Sequence, residues 1–263
     1  MPELPLVERC RGQAERFLCH RHIVRAAAVV DDMMMPELTP RRFRSAVKGR
    51  RVLAVERRGK YLWLRFDRAP HLVLHFGMTG EFVYDVRPRP KHWRFELQLD
   101  HGGLFTLVDP RRFGRVLLVN DPLREPPVSE LGFDPWSDCV SPAMFTRAVR
   151  SRSAPIKAIL LDQSFAAGVG NWIADDVLHL ARIDPRRRGK SLTAVECQRI
   201  MRRLISVVRV ATEAGSHAEK FPRNWLFHLR WGRHNGIETP HGRPVRFETI
   251  AGRSTAWVPS VQC

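Results

Sequence analysis

Trp93-Arg94-Phe95-Glu96-Leu97-Gln98-Leu99 decides how the first half of this chain folds. Large apolar side chains alternate with polar ones, the period of a strand with one buried face. His101-Gly102-Gly103 then turns the chain into a second apolar run, 104–108. Upstream, 51–58 and 61–66 flank Arg58-Gly59-Lys60 as a hairpin, and 71–76 is a further strand; downstream, 115–119 continues the pattern. Many short strands separated by turn residues point to a β-sandwich or barrel. An amphipathic helix precedes them over 5–18, with Leu6, Val7, Cys10, Ala14, Phe17 and Leu18 at helical spacing. A short helix interrupts them, with Thr39 as cap, Pro40 at the first position and Gly49 as the stop.

Farther along, 122–142 is proline-rich and reads as a linker. The period then becomes helical, with candidates at 141–150, 156–162, 171–182 and 193–214. From about Trp225 strands return at 243–248 and 255–258, joined by Ala251-Gly252-Arg253-Ser254. The expected architecture is α+β and multidomain: a β-sandwich with flanking helices over 1–131, a helical domain over 132–224, and a C-terminal β-hairpin over 225–263.

The chain has 263 residues, 44% of them apolar, enough for a substantial core. Lys and Arg outnumber Asp and Glu by 44 to 27, a formal charge of +17. The basic residues are spread through the folded regions, which favours a groove for an anionic partner, nucleic acid first. No stretch has the length and apolarity of a membrane span, and the N-terminus lacks an apolar signal core. The five cysteines, Cys10, Cys19, Cys139, Cys197 and Cys263, are scattered and never spaced as C-x-x-C. They imply a reducing compartment, with neither a disulfide framework nor a cysteine zinc site.

Two stretches carry chemistry. Removal of Met1 from Met1-Pro2-Glu3-Leu4-Pro5-Leu6 leaves a terminal secondary amine, with an α-amino pKa near roughly 7.7–8.0 against about 10.4 for lysine. Attack by such an amine on a sugar aldehyde carbon gives an iminium that cannot neutralise itself by deprotonation and so acts as an electron sink. Glu3 beside it can shuttle protons. The bland alternative is a helix start with Pro5 at its first position. The second stretch, Phe165-Ala166-Ala167-Gly168-Val169-Gly170-Asn171, joins two helices. Its glycines allow close approach of a phosphate, and Asn171 can cap the second helix, whose N-terminus attracts anions.

Taken together, Met1-Pro2-Glu3-Leu4-Pro5, Arg58-Gly59-Lys60-Tyr61-Leu62, His75-Phe76-Gly77-Met78-Thr79-Gly80, Asp109-Pro110-Arg111-Arg112-Phe113-Gly114 and the pair running from Ile156-Lys157 through Asp162-Gln163 to Gly168-Val169-Gly170-Asn171 resemble the formamidopyrimidine-DNA glycosylase/endonuclease VIII family. The resemblance runs in order over nearly the whole chain and implies a bifunctional glycosylase/AP lyase of base excision repair. It implies catalytic roles for Pro2 as Schiff-base nucleophile, Glu3 as acid/base partner, Lys60 as phosphate holder, and Arg253 on the terminal hairpin. Met78, Arg111 and Phe113 match the trio that fills the hole left by the extruded base. Arg112, His92, Arg152, Lys157, Asn171 and Arg253 complete the expected DNA contacts. The helical pair resembles the family's helix–two-turn–helix. The finger cysteines are missing, and 252–259 resembles the zincless-finger branch, with Trp257 and Val258 supplying packing. The implied partner is duplex DNA with oxidised bases or abasic sites, bound by a monomer in a basic cleft between the domains, with no cofactor and no metal. A metal site built from His228, His234 and His241 fits no common zinc spacing. The implied location is cytoplasm or nucleoid, or nucleus in a eukaryote.

Departures bear on activity. Leu6 stands where the family usually has a second glutamate, and Asp176 where a helix glutamate is common. Residues 213–225 form a short stretch where bacterial relatives carry a longer loop over 8-oxoguanine, so formamidopyrimidines and hydantoins are expected above 8-oxoguanine. The rival readings are an endonuclease VIII-like enzyme for oxidised pyrimidines and a damage-binding protein weakened in catalysis.

Overall fold

Alternation along 93–99 becomes β6 (Trp93–Leu99), whose Phe95, Leu97 and Leu99 are buried. The computed structural model describes residues 2–36, 38–231 and 236–263. By internal contacts the chain divides into one unit of residues 1–2 and 6–130 and a second of residues 3–5 and 131–263.

In the first unit, α1 (Leu4–Leu18) is followed by β1 (Ile23–Ala28), α2 (Pro40–Val47), β2 (Val52–Arg58), β3 (Tyr61–Phe66), β4 (His71–His75), β5 (Glu81–Tyr84), β6, β7 (Leu104–Val108) and β8 (Arg115–Val119). Two antiparallel sheets form, in the orders β1-β6-β7-β5 and β2-β3-β4-β8. Their inward side chains, among them Phe95 and Phe105 of one sheet and Leu62, Leu74 and Val116 of the other, enter a single apolar cluster with Phe43 of α2. Thr39 caps α2 as expected, its hydroxyl accepting from the Arg42 amide, and Gly49 follows at φ +76°. The sequence reading missed β1 and β5. Ile23-Val24-Arg25-Ala26-Ala27-Ala28 has no clear period because alanine suits either face, and β5 has only four residues.

The second unit contains α3 (Pro142–Arg150), α4 (Ile156–Leu161), α5 (Asn171–Ala181), α6 (Ala194–Glu213), β9 (Arg246–Ile250) and β10 (Arg253–Trp257). Ser141 caps α3, and Thr193 with Glu196 forms a full capping box on α6. The helices bury one cluster that includes Phe145, Leu160, Ile173, Leu178, Leu204 and Val208. The expected linker 122–142 is packed structure: Val128 is buried, Phe133 bridges to Ala166, and Phe133 meets Phe145 and Phe165 edge-on. Prolines here shape a docked segment, not a free spacer.

The terminal hairpin closes through Ala251 and Gly252, at φ +51° and +71°, so the turn has two residues, not the four read from sequence. Its apolar side rests on a small cluster of Leu226, Val245, Ala256 and Val258, with Phe247 and Val261 against it. Trp257 is buried with the Arg186 guanidinium 4.4 Å above its ring. Packing at Trp257 and Val258 thus holds the hairpin.

Candidate functional site

The glycine-rich turn between α4 and α5 holds a carboxylate of the chain itself. Glu3 is buried, and its Oε1 and Oε2 accept the amides of Trp172 and Ile173 at 3.0 and 3.2 Å. These are among the unpaired donors of the first turn of α5, where the helix dipole favours negative charge. Gly170 is required because a Cβ there would lie 2.2 Å from the Glu3 carboxyl carbon. Gly168, at φ +91°, takes Leu4 against its backbone, with the Leu4 amide donating to its carbonyl at 3.1 Å. The expectation of a phosphate at this turn is therefore corrected: Glu3 occupies the α5 N-terminus. Asn171 is not the cap either. The cap position is Gly170, and Asn171 Nδ2 donates to the Ser254 carbonyl at 2.8 Å. Pro2, directly before Glu3, is buried in the chain that still carries Met1, which lies outside the described residues. Leu6 is half-buried on α1.

Lys157, expected at a phosphate, is fully buried. Its Nζ pairs with Asp175 Oδ1 at 2.6 Å and donates to Thr255 Oγ1 at 2.7 Å and the Ser254 carbonyl at 3.1 Å. Asp175 Oδ2 also accepts from Arg230 at 3.0 Å and from the Ala256 amide at 3.1 Å. Two cations and one carboxylate thus pin β10 to α4 and α5, and the Lys157 head group faces inward, away from solvent. Sequence offers no signal for this, since an Asp on a helix next to another Asp looks like a solvated face. Arg253 lies exposed at the start of β10, paired with Ile250 beside the turn. Asp176 is also buried and accepts the Phe227 amide at 3.3 Å. Burial, then the neighbouring Asp175, raises its carboxyl well above the usual range. It supports the 225–229 turn, whereas the amides of Trp172 and Ile173 support Glu3.

In the first unit, Met78 and Phe113 are 39% and 44% exposed, unusual for residues of this size and consistent with wedges held ready outside the core. Arg111 lies with its guanidinium 4.7 Å over the Phe113 ring. Their two loops are joined by buried Asp109, whose Oδ1 accepts from the Thr79 hydroxyl at 2.5 Å and the Arg111 amide at 3.2 Å, while Oδ2 accepts the Gly114 amide at 2.9 Å. At Gly77, φ is +60° and a Cβ would lie 2.3 Å from the Phe113 carbonyl carbon, so the loops meet backbone to backbone. Arg112 is turned elsewhere. Its guanidinium holds buried Asp31 at 2.9 Å, and Asp31 also takes Arg94 at 3.2 Å. Burial alone would raise the Asp31 carboxyl; the Arg112 hydrogen bonds, the Met34 amide and the charges of Arg112 and Arg94 together outweigh it and hold the carboxyl below the usual range.

Lys60 sits in the turn between β2 and β3. Nearby His75 packs against Tyr61, ring centroids 4.8 Å apart and tilted by 44°, and accepts the Gly77 amide at Nδ1, 3.0 Å. Burial, then Lys60 and Arg115, pushes its pKa down to about 4, so the ring is neutral and its acceptor is available at physiological pH. His92 is exposed with φ +63°. Arg152 is half-buried, donates to the Ala148 carbonyl and lies 4.9 Å over Phe165. Asp109, His75 and Gly77 were inside the quoted motifs but drew no role from sequence, because their function is to hold backbone. Among the described residues no group of three His, Cys, Asp or Glu side chains is placed to hold a metal; His234 lies outside them.

Residues 1–116 match the formamidopyrimidine-DNA glycosylase N-terminal domain and 131–222 match that family's H2TH domain. The chain is 36% identical over 285 residues to the formamidopyrimidine-DNA glycosylase of Thermus thermophilus, covering 100% of this chain and 98% of that one. It is 33% identical over 277 residues to the Arabidopsis thaliana protein of the same name, covering 100% and 71%. Among solved structures, the Lactococcus lactis formamidopyrimidine-DNA glycosylase non-covalently bound to AP-site DNA superposes with a TM-score of 0.87 at 25% identity, covering 99% of each chain. The T. thermophilus structure gives 0.81 at 35% identity, covering 99% and 98%.

Proposed function

Since the chain belongs to the formamidopyrimidine-DNA glycosylase family, we propose that it excises oxidised purines from duplex DNA and cleaves the resulting abasic site. Its place is DNA repair, as a DNA-binding glycosylase. The observation that carries the mechanism is the Glu3 carboxylate, held by two amides of α5 immediately after Pro2.

Freed of Met1, Pro2 presents a secondary amine, part of which is neutral at pH 7–8. It attacks the sugar C1′ of the extruded nucleotide as the bond to the damaged base breaks. Glu3, fixed and desolvated, moves the proton that ring opening requires. Loss of a proton from C2′ then expels the 3′ phosphate, and a second elimination expels the 5′ phosphate, with the iminium taking up electrons each time. Extrusion costs a few kcal/mol. Met78 and Phe113 fill the gap, and Arg111 reaches the orphaned partner base. Lys60, His92 and Arg253 hold phosphates, and Asn171 leaves that set because its amide already donates to the Ser254 carbonyl. Lys157 is withdrawn from that set because it is buried, and Arg152 and Arg112 are already engaged by Phe165 and Asp31.

For the lesion, the stretch 213–225 supports a narrower reading. The stretch leaving α6 contains one 3-10 turn, Ala218–Lys220, and then buries Phe221 and Trp225, which stack on Trp172 at 5.6 and 6.2 Å. Nothing in it is long enough to close over a base, which favours formamidopyrimidines and hydantoins over 8-oxoguanine. The hairpin, packed without cysteine ligands, supports the zincless branch.

Borohydride trapping on an abasic-site duplex tests the mechanism. The Met1-cleaved protein gives a covalent adduct; Pro2→Gly gives much less, and an N-terminally extended form gives none. An equal adduct from the extended form places the nucleophile elsewhere. Paired excision assays on formamidopyrimidine and oxidised-pyrimidine duplexes separate this reading from an endonuclease VIII-like one, and a protein that binds but never traps is the damage binder.

A further inference from the structure

Several arginines of the first unit are spent on ion pairs. Arg57 takes Glu8, Arg11 takes Glu8 and Glu15, Arg65 takes Glu56, and Arg94 and Arg112 share Asp31. Other cations gather at one place without such pairs. Arg25 on β1, Arg44 and Lys48 at the end of α2, and Arg87 in the loop after β5 are all exposed, and none has an ion-pair partner among the described residues. They line one depression of about 410 Å³, together with Arg89, Glu96 and Gln98.

Its construction follows from strand register. On β1 and β6, Arg25 pairs with Gln98 and Ala27 with Glu96, while Ala26 and Ala28 pair with the buried Leu97 and Phe95. Arg25, Ala27, Glu96 and Gln98 therefore share the outer face and form the floor. The end of α2 makes one basic wall and the 85–90 loop the other. Glu96 is already held by Arg89 at 2.7 Å, and Arg89 is steadied by the Trp93 ring 4.2 Å away. Small Ala27 leaves the floor open. Four uncompensated cations gathered in one concavity repel each other, and the groove relaxes when phosphates enter it.

We propose that this groove, on the outer face of the β1–β6 strands, binds nucleic-acid phosphates at a point separate from the Met78 and Phe113 loops. Those loops follow β4 and β7, and β7 ends at Val108 opposite Trp93, whereas the groove extends along β6 to Gln98, opposite the start of β7. The inference rests on the DNA reading above. The phosphates come from the flank of the bound duplex or from a second duplex.

The test compares wild type with Arg25→Ser/Arg44→Ser/Lys48→Ser/Arg87→Ser, and with a control losing equal charge at exposed Arg147, Arg202, Arg203 and Arg209. Affinity for abasic-analogue duplexes of about 12 and 35 base pairs is measured against salt, and uptake of a labelled undamaged duplex is measured after the short analogue has saturated the protein. Each phosphate lost lowers the slope of log K against log salt by about 0.9. If the groove holds the flank, the quadruple variant loses about 2–4 units of slope on the long duplex only. If it holds a second duplex, wild type forms a ternary complex and the variant does not. Single-turnover excision at saturation stays unchanged in both cases. A variant that matches the control in slope and in ternary complex overturns the inference alone. Failure of wild type to bind either duplex overturns it together with the DNA reading.

Discussion

Gly77 and His75 show how single positions set the Met78 and Phe113 loops. With φ at +60° and the Phe113 carbonyl carbon 2.3 Å from any added Cβ, Gly77→Ala must both strain its own backbone and push the second loop away. It should cost more than about 1 kcal/mol in urea denaturation and, by displacing Phe113, about 10- to 100-fold in single-turnover excision. Normal excision by Gly77→Ala would mean that the contact between the loops is dispensable. His75 makes a pH prediction. Its folded pKa, about 4, lies below the unfolded value, so the unfolded chain binds more protons between those values. Stability from this group is present above about pH 6.5 and is lost as pH falls toward 4. His71 and His179 are lowered too, each first by burial, so they act in the same direction. His75→Gln should flatten, but not abolish, the decline in urea midpoint between pH 6.5 and 4.5; an unchanged slope would remove His75 from the account.

Helix α5 gathers three buried carboxylates. Its first turn holds Glu3, its second-turn Asp175 anchors β10 through Lys157 and Ala256, and Asp176 anchors the 225–229 turn. Gly170→Ala puts a methyl into the Glu3 carboxyl. It should leave the helical circular-dichroism signal intact while lowering adduct formation about 100-fold or more, the usual worth of a placed acid/base group; full trapping would show that Glu3 need not sit there. Asp175→Asn strands two buried cations, and Lys157→Met leaves Asp175 still paired with Arg230. Removing one partner of a buried pair costs about 3–5 kcal/mol. The Asn variant should therefore melt lower than the Met variant, and the reverse order would deny Asp175 its central place. This network marks what sequence could and could not reveal. The periods of β6 and α6 and the caps at Thr39, Ser141 and Thr193 are local, and they were legible. Lys157 looked like a phosphate ligand because motif position reports neighbourhood but not direction, and its partners at 175, 254 and 255 are distant in sequence. Asn171 was misread as a cap for the same reason: the carboxylate that fills the α5 N-terminus arrives from residue 3.

A charge of +17 on 263 residues makes the long-range field of the whole protein part of its function. Composition alone conveyed that much. It could not say which cations are spent internally, and the structure divides them: Lys157, Arg57, Arg94, Arg112 and Arg230 are engaged by carboxylates, while Arg25, Arg44, Lys48 and Arg87 are not. Cations that meet phosphates release counterions when DNA binds. With Lys60 and Arg253 as a minimum of two cationic phosphate contacts under the proposed reading and about 0.9 unit of slope for each, the lesion-bound complex should show a slope of log K against log salt of roughly −2 or steeper. Between 50 and 200 mM salt the affinity then falls about 10-fold or more, while single-turnover excision at saturating protein stays level, because salt weakens encounter and leaves the proposed Pro2–Glu3 chemistry alone. Fluorescence anisotropy on an abasic-analogue duplex, run beside the excision assay at each salt concentration, checks both halves. A slope near −1 would mean that the positive charge serves something other than phosphate contact, and a salt-dependent excision rate at saturation would place charged groups in the chemical step itself.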